Sequence, residues 1–432
     1  MKKTFKNIIV QIITWEAKLV LLRYKPKIVA ITGSVGKTST KDAVYTVLSH
    51  FYKVRKSDKS FNSEIGLPLT ILGCKNGWSN PVVWLENIVR GLILICLKRE
   101  YPEYLVLEVG AGKPGDIKSV APWLRPDVVV LTRFPDVPVH VEFFKGTDHI
   151  IEEKIALAEG LKENGILVLN HDDKAVLSVH HKVKRKTVSY GFSEHATYRA
   201  SYPQIATHNS NGISVPYGMN FKLEYGGNTF PVNMAHIVGE SHIYSGLAAI
   251  AVAGELSCDM LKATAALTDY ETPRSRLAII EGMNNSIIID DTYNASPVAM
   301  EAAITLLQSI SAKRKIAVLG DMLELGKMTE EAHRKTGVQV ASVADMLVLV
   351  GPRADFIKEA ALEAGFPVKE LYKFDSSITA GKFLEGVIEK GDVILLKGSQ
   401  GVRLERAVKA IMAHPEDAKH LLCRQEKEWE KR

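Results

Sequence analysis

Two kinds of apolar pattern alternate along this chain. From residue 27 to about 170, short continuous apolar runs at 27–32, 104–110, 127–132 and 166–170 are separated by stretches with helical spacing. Unbroken apolar runs predict parallel strands buried on both faces. Residues 37–51 and 149–165 predict helices, the second with Gly165 as its C-terminal cap. Strand and helix in alternation predict a doubly wound α/β sheet. Between about 183 and 234 the pattern changes to short Thr-, Tyr- and Phe-bearing segments split by Gly, Asn and Pro, which predict antiparallel strands. A run of small residues at 241–256 predicts a closely packed helix. Near 287 a second series begins, with five apolar runs (286–293, 315–321, 346–351, 371–374 and 393–398) separated by helical stretches. It predicts a second, Rossmann-like α/β sheet. The junction falls around residues 268–276.

Two segments stand outside this rhythm. Residues 4–24 are apolar but interrupted by Gln11, Glu16, Lys18 and Arg23, with no small-residue cleavage site after them. That pattern excludes a secretory signal and is too charged for a spanning helix. Residues 80–103 form a second apolar run that ends in basic residues and is too short to cross a bilayer. Packing of 4–24 against 80–98 is the expected arrangement. Contact with a membrane surface through Trp15, Trp84, Lys18, Arg23, Lys98 and Arg99 is the alternative. The charged tail after residue 413 is expected to be a frayed helix.

Composition narrows the class. The 432 residues are 46% apolar and 24% charged, as in globular proteins of two or three domains. A net charge of +6 is too weak to argue for nucleic acid, and no basic aromatic patch accompanies it. It suits anionic substrates. The four cysteines are far apart with no CxxC pair, which predicts reduced structural thiols.

Residues 27–44 carry the first chemistry. An apolar strand leads into Gly33 and Gly36, then Gly-Lys-Thr opens a helix. Glycines let the backbone approach phosphate oxygens, and the amides that open a helix hold anions. Lys37 would reach the β/γ-phosphates, and the Thr38 hydroxyl would ligate Mg²⁺. The strict Walker A spacing is absent, because Ile31 stands where its first Gly belongs.

The segment Thr32–Ser39, with Gly33, Ser34, Val35, Gly36, Lys37, Thr38 and Ser39, resembles the phosphate loop of the Mur ligase superfamily. Further segments carry the same resemblance. They are 61–72 with Asn62, 107–117 with Glu108, and 140–154 with His140, Glu142 and Lys154. "DDTYNASP" at 290–297 and "LGDMLELG" at 319–326 resemble the branch that adds D-alanyl-D-alanine, and 395–405 resembles that branch's closing motif. Ser63 and Ser296 replace family asparagines. Altogether the likeness covers about residues 27–410.

The resemblance implies an ADP-forming amide ligase working through an acyl phosphate, with D-alanyl-D-alanine joined to UDP-N-acetylmuramoyl-tripeptide in peptidoglycan precursor synthesis. It implies ATP bound by the loop together with Asn62, Arg276, Asp291, Asn294 and Asp321. Two Mg²⁺ ions would be held by Thr38, Glu108, His140 and a Lys154 carbamylated by CO₂. His333 would orient or deprotonate the amine, or else cap and pack. The implied parts are a helix at 1–26 in place of the family's UDP-binding first domain, a central ATP-binding domain at 27–272 with an insertion at about 80–103, and a C-terminal domain at 273–432. A cytoplasmic monomer acting on small-molecule and nucleotide-peptide substrates is expected, with no nucleic acid. Three alternatives remain: a ligase for another carboxylate acceptor, a non-catalytic ATP-binding scaffold at the membrane, and a nucleic-acid-dependent ATPase.

Overall fold

The computed structural model describes residues 3–58, 64–78, 80–135, 142, 144, 146–210, 213–426 and 429. The chain builds two sheets. Nine strands form the first: β1 (Lys27–Thr32), β2 (Val54–Lys56), β3 (Tyr104–Glu108), β4 (Val128–Leu131), β5 (Ile166–Asn170), β6 (Lys186–Gly191), β7 (Tyr198–Ser210), β8 (Ile213–Tyr225) and β9 (Asn228–Ala235). Their order is β2-β3-β1-β4-β5-β6-β7-β8-β9. Pairing is parallel from β2 to β7 and antiparallel from β7 to β9. Of the strands expected to be antiparallel after residue 183, β6 is instead parallel to both β5 and β7, and only β7, β8 and β9 form the antiparallel part, which continues the parallel sheet. Gly226 and Gly227, both at positive φ, turn β8 into β9.

Helices cover both faces of this sheet: α1 (Lys3–Tyr24), α2 (Lys37–Ser49), α3 (Gly66–Leu72), α4 (Pro81–Cys96), α5 (Asp116–Leu124), α6 (Thr147–Glu159) and α7 (Glu240–Glu255). The strand period of two divides the core cleanly. Val29 and Ile31 of β1 pack with α2 and α7, whereas Ile28 and Ala30 pack with α1, α3 and α6. Helix α6 ends at Glu159 with Gly160 as its cap, five residues before the Gly165 cap expected from sequence. The reason is contact with α5: a Cβ on Gly160 would lie 3.0 Å from the Ala121 carbonyl oxygen, so the chain turns there and Lys162 N–H bonds Pro126 O.

The two apolar segments pack together. Ile9, Ile13, Ala17 and Val20 of α1 share a core with Trp84 and Leu94 of α4. The helices approach closely at Gly91, where a Cβ would stand 2.2 Å from Glu16 Oε2. Glu16 is fully buried, and neither carboxyl oxygen has a hydrogen-bond partner among the described residues. Burial pushes its pKa up to about 7.

The second sheet holds β10 (Ala278–Gly282), β11 (Ser286–Asp291), β12 (Arg314–Gly320), β13 (Met346–Val350), β14 (Leu371–Phe374) and β15 (Asp392–Lys397) in the order β10-β11-β15-β12-β13-β14. All pairs are parallel except β10–β11. Around it lie α8 (Pro297–Ser309), α9 (Thr329–Ala341), α10 (Ala354–Glu363), α11 (Ser377–Val387) and α12 (Glu405–Ile411). One face of this sheet, with α8, joins the α2–α7 side of the first sheet in a single apolar core. That shared core joins the two sheets. The tail is not frayed up to residue 424: Leu422, Cys423 and Arg424 are buried, and Arg424 Nη1 donates to Thr292 O at 3.2 Å. All four cysteines are free.

Candidate active site

The loop after β1 is shaped by its neighbour β4. Gly33 has φ 149°, and a Cβ there would overlap Thr132 Oγ1 at 1.9 Å, so only glycine fits. Thr132 Oγ1 donates to Val35 O at 2.6 Å, and Ser34 N–H donates to Arg133 O at 2.8 Å. Gly36, at φ 85°, then caps α2, whose first residue is Lys37. The amides that open α2 face the space where the loop turns, the arrangement that binds anions.

Several charged side chains converge there. Lys37 Nζ curls back onto the loop, donating to Gly33 O at 2.9 Å and Ser34 O at 3.4 Å. Its pKa is lowered, first by burial, with Glu108 opposing and Arg276 adding to the effect. Glu108 closes β3 in register with Ile31 of β1 and is buried. Its backbone N–H donates to Ser57 Oγ at 3.3 Å. Lys154 rises from α6, buried, and its Nζ donates to Ser34 Oγ at 2.9 Å. Its pKa is held well below the usual lysine range by burial and then by Lys37. The buried amine of Lys154, the half-buried one of Lys37 and one carboxylate thus meet at the loop.

The second sheet contributes across the junction. Arg276 Nη2 donates to Thr38 Oγ1 at 3.4 Å, and its guanidinium lies over Tyr293 at 4.3 Å. Arg276 Nε is buried with no partner among the described residues. Between the sheets lies a cavity of about 90 Å³, lined by Gly36, Thr40, His242, Arg276 and Asp291 among others. Burial lowers the His242 pKa to about 4, so it is neutral at pH 7.

Other residues singled out from the sequence hold backbone. Asp291 Oδ2 accepts from Lys397 Nζ at 2.6 Å, and the same amine donates to Asn294 O at 3.0 Å. Asp321 Oδ1 accepts from Ala354 N–H at 2.9 Å at the start of α10, and burial raises its pKa. His333 Nε2 accepts from Met322 N–H at 2.9 Å, while Nδ1 lies 2.6 Å from Thr329 O and donates to it. Both ring nitrogens are used, and burial lowers the pKa. In this arrangement His333 fixes the 320–329 turn and has no nitrogen available for an amine proton. Asn62 and His140 lie outside the described residues. Glu142 is exposed, and its Cβ lies 3.4 Å from where a Cβ on Gly326 would stand, so Glu142 meets the end of the 319–326 motif.

Sequence reasoning missed three contributors. Glu153, beside Lys154, accepts from the backbone N–H groups of Gly115, Ile117 and Lys118 at 3.0, 2.7 and 3.0 Å. It thereby anchors the loop that follows Glu108. Thr132 supports the phosphate loop, and His242 lines the cavity. Only His242 had a local signal, a lone histidine opening a small-residue helix.

Residues 31–253 match the Mur ligase middle domain, and residues 275–400 match the Mur ligase glutamate ligase domain. The chain is 30% identical over 401 residues to the UDP-N-acetylmuramoyl-tripeptide–D-alanyl-D-alanine ligase of Bacillus subtilis, spanning 92% of this chain and 79% of that one. It is 26% identical to the ligase of the same name from Escherichia coli, spanning 89% and 76%. Among solved structures, MurF ligase from Thermotoga maritima in complex with ADP superposes with a TM-score of 0.74 at 26% identity, covering 95% of this chain and 84% of that one. MurF from Acinetobacter baumannii shares the fold, with a TM-score of 0.75 at 24% identity, covering 92% and 79%. The chain belongs to the Mur ligase family.

Proposed function

We propose that this member of the family is an ATP-dependent, ADP-forming ligase that joins D-alanyl-D-alanine to UDP-N-acetylmuramoyl-tripeptide in peptidoglycan precursor synthesis. The observation that carries the reading is the convergence of Lys37, Glu108, Lys154 and, from the second sheet, Arg276 on one phosphate loop. The choice of substrates rests on the names of the relatives and on the 290–297 and 319–326 motifs. We take residues 1–26, 27–272 and 273–432 as the functional parts, working as a cytoplasmic monomer in peripheral contact with the membrane.

In this reading the loop amides and Lys37 hold the ATP phosphates. An oxygen of the tripeptide carboxylate attacks the γ-phosphorus. The bond to the β–γ bridging oxygen breaks, and ADP leaves. The acyl phosphate is then attacked by the amine of D-alanyl-D-alanine. The C–N bond forms, phosphate departs with the former carboxylate oxygen, and the amine proton passes to solvent. Arg276 and Lys37 stabilise charge that develops on the transferring group. A 90 Å³ cavity falls short of the ≈ 300–1,000 Å³ of small-molecule sites, so the two sheets part to admit ATP and close to exclude water.

The hydroxyl of Thr38 and the buried carboxylate of Glu108 are hard oxygen donors beside the loop, a set that fits Mg²⁺. With His140 and a carbamylated Lys154 they would hold two such ions, which would supply charge neutralisation on the phosphates. Lys154 also suits carbamylation. Its depressed pKa favours the uncharged amine that adds CO₂, and the anionic product would relieve its repulsion with Lys37. A mass gain of one CO₂, lost on acidification and absent in Lys154→Met, tests this.

The ligase reading is tested by phosphate release from ATP and Mg²⁺, with D-alanyl-D-alanine and UDP-N-acetylmuramoyl-tripeptide added singly and together. Release that needs both, with the pentapeptide product seen by mass spectrometry, is expected. Release with neither dependence, or none with ATP still bound, overturns the assigned substrates.

A further inference from the structure

The pairing of α1 with α4 leaves an apolar surface uncovered. Helix α4 buries Trp84, Asn87, Gly91 and Leu94 against the body of the protein. Its opposite face presents Val82, Leu85, Val89, Leu92 and Ile93, with Leu85 62% exposed, and exposed Leu97 follows just past its end. The helical positions repeat at helical spacing and form a stripe about 17 Å long. On α1 the exposed side repeats the theme with Ile8, Trp15 and Leu22, the last 70% exposed. Exposed aliphatic side chains scattered singly are ordinary, but aligned stripes on two packed helices are not.

The charges around these stripes are predominantly positive, with exposed Glu86 of α4 the exception. Exposed Lys18 and Arg23 flank the α1 stripe, while Arg90, Lys98 and Arg99 flank that of α4. The only acid in α1, Glu16, is buried beneath the surface, and Glu86 is the only acid in α4. No helix among the described residues is long and apolar enough to cross a membrane. Apolar stripes with an exposed tryptophan and a cationic rim match a helix pair lying in the plane of an anionic bilayer surface. A second copy on the same face would set like-charged rims together.

The placement also leaves the phosphate loop free. Tyr24 Oη, at the end of α1, donates to Leu94 O at 3.1 Å and accepts from Arg99 N–H at 3.1 Å, so the basic ends of both helices lie together. The chain passes from Tyr24 through Lys25 and Pro26 into the first residue of β1, whereas the phosphate loop leaves the other end of that strand. Arg23, Lys98 and Arg99 therefore stand at the sheet edge remote from the nucleotide loop.

We propose that the outer face of α1 and α4 is a docking surface for membranes containing anionic lipid, with α4 inserting its apolar stripe and the basic rim meeting the headgroups. This goes beyond the ligase reading by giving its membrane contact a surface and a lipid class. The test needs no turnover, so the two fail separately. The full chain is sedimented with vesicles of phosphatidylcholine alone, and of phosphatidylcholine with phosphatidylglycerol in roughly equal parts. At low salt, binding to the anionic vesicles is expected to exceed that to the neutral ones by roughly tenfold or more. A part of it should survive roughly 1 M salt, where the Debye length is about 3 Å. The L85Q/V89Q/L92Q variant is expected to lose binding by roughly tenfold or more with its thermal midpoint retained. Should that variant fail to fold, K98E/R99E, altered only at exposed positions, is expected to abolish the preference for anionic vesicles. The proposal is overturned if wild-type protein stays in the supernatant with both vesicles, if neither variant changes binding, or if the wild type is a dimer that L85Q/V89Q/L92Q converts to monomer.

Discussion

The loop edge of the first sheet and the motif turns of the second solve opposite problems. At the loop, buried Lys154 and half-buried Lys37 lie close together; burial and then Lys37 weaken the hold of Lys154 on its proton, while burial and Arg276 do so for Lys37 against the pull of Glu108. Their bonds go to loop oxygens that a bound anion could replace. In the second sheet, Asp291 is paired with Lys397, Asp321 caps α10, and His333 spends both ring nitrogens on backbone. The first region holds excess positive charge in a dry site, which is costly until an anion arrives. The second region is satisfied without one. Motif residues of one family thus divide into those that meet the ligand and those that hold the shape around it.

The sharpest way to break this comparison is Lys37→Met. Phosphate release should fall at least roughly 10³-fold, about 4 kcal/mol in the transition state, while the thermal midpoint holds or rises because a buried charge is gone. A lower midpoint would place Lys37 with the shape-holding group. Next is Lys397→Met, which strands Asp291. It should cost about 3 kcal/mol in denaturant unfolding. An unchanged unfolding midpoint would show that the Asp291–Lys397 pair does not support the 291–294 turn.

The junction between the regions is tested by pH. The folded pKa of His242, about 4, is below its ordinary 6.5. Its stabilising effect is therefore complete above pH 6.5 and lost as the pH falls toward 4, by on the order of 3 kcal/mol. Asp290 acts in the opposite sense: burial raises its pKa from 3.8 to about 6, so stability is lost as the pH rises through that window. In the wild type the two oppose each other, and Glu16, raised to about 7, adds to the Asp290 trend. His242→Gln should expose the Asp290 trend, with stability rising from pH 6.5 to 4 relative to wild type. Parallel wild-type and variant curves would contradict the assignment. The smallest expected effect is His333→Ala, which leaves Met322 N–H and Thr329 O unpaired and should cost about 2 kcal/mol. Its pH–rate profile should keep the wild-type shape, whereas a lost limb would restore His333 as a base.

Much of this was legible in the sequence, and for a physical reason. Strands buried on both faces must be continuous apolar runs, so β1, β3, β4, β11, β12, β13 and β15 announced themselves. The short antiparallel strand β10 did not, because its five residues follow the charged junction without an alternating pattern. The loop was readable because glycines, Lys37 and Thr38 are adjacent in the chain. Glu153 and Thr132 were not, since each acts through space on a segment distant in sequence. Likewise the apolar runs of α1 and α4 were visible, but which face each would bury depends on Gly91 meeting Glu16.

The central claim is that the loop edge of the first sheet activates a carboxylate as an acyl phosphate. It is tested most directly by labelling the acceptor carboxylate of UDP-N-acetylmuramoyl-tripeptide with ¹⁸O and analysing the phosphate released as amide forms. The account predicts one labelled oxygen in phosphate for each amide made. Amide formation with unlabelled phosphate would contradict it.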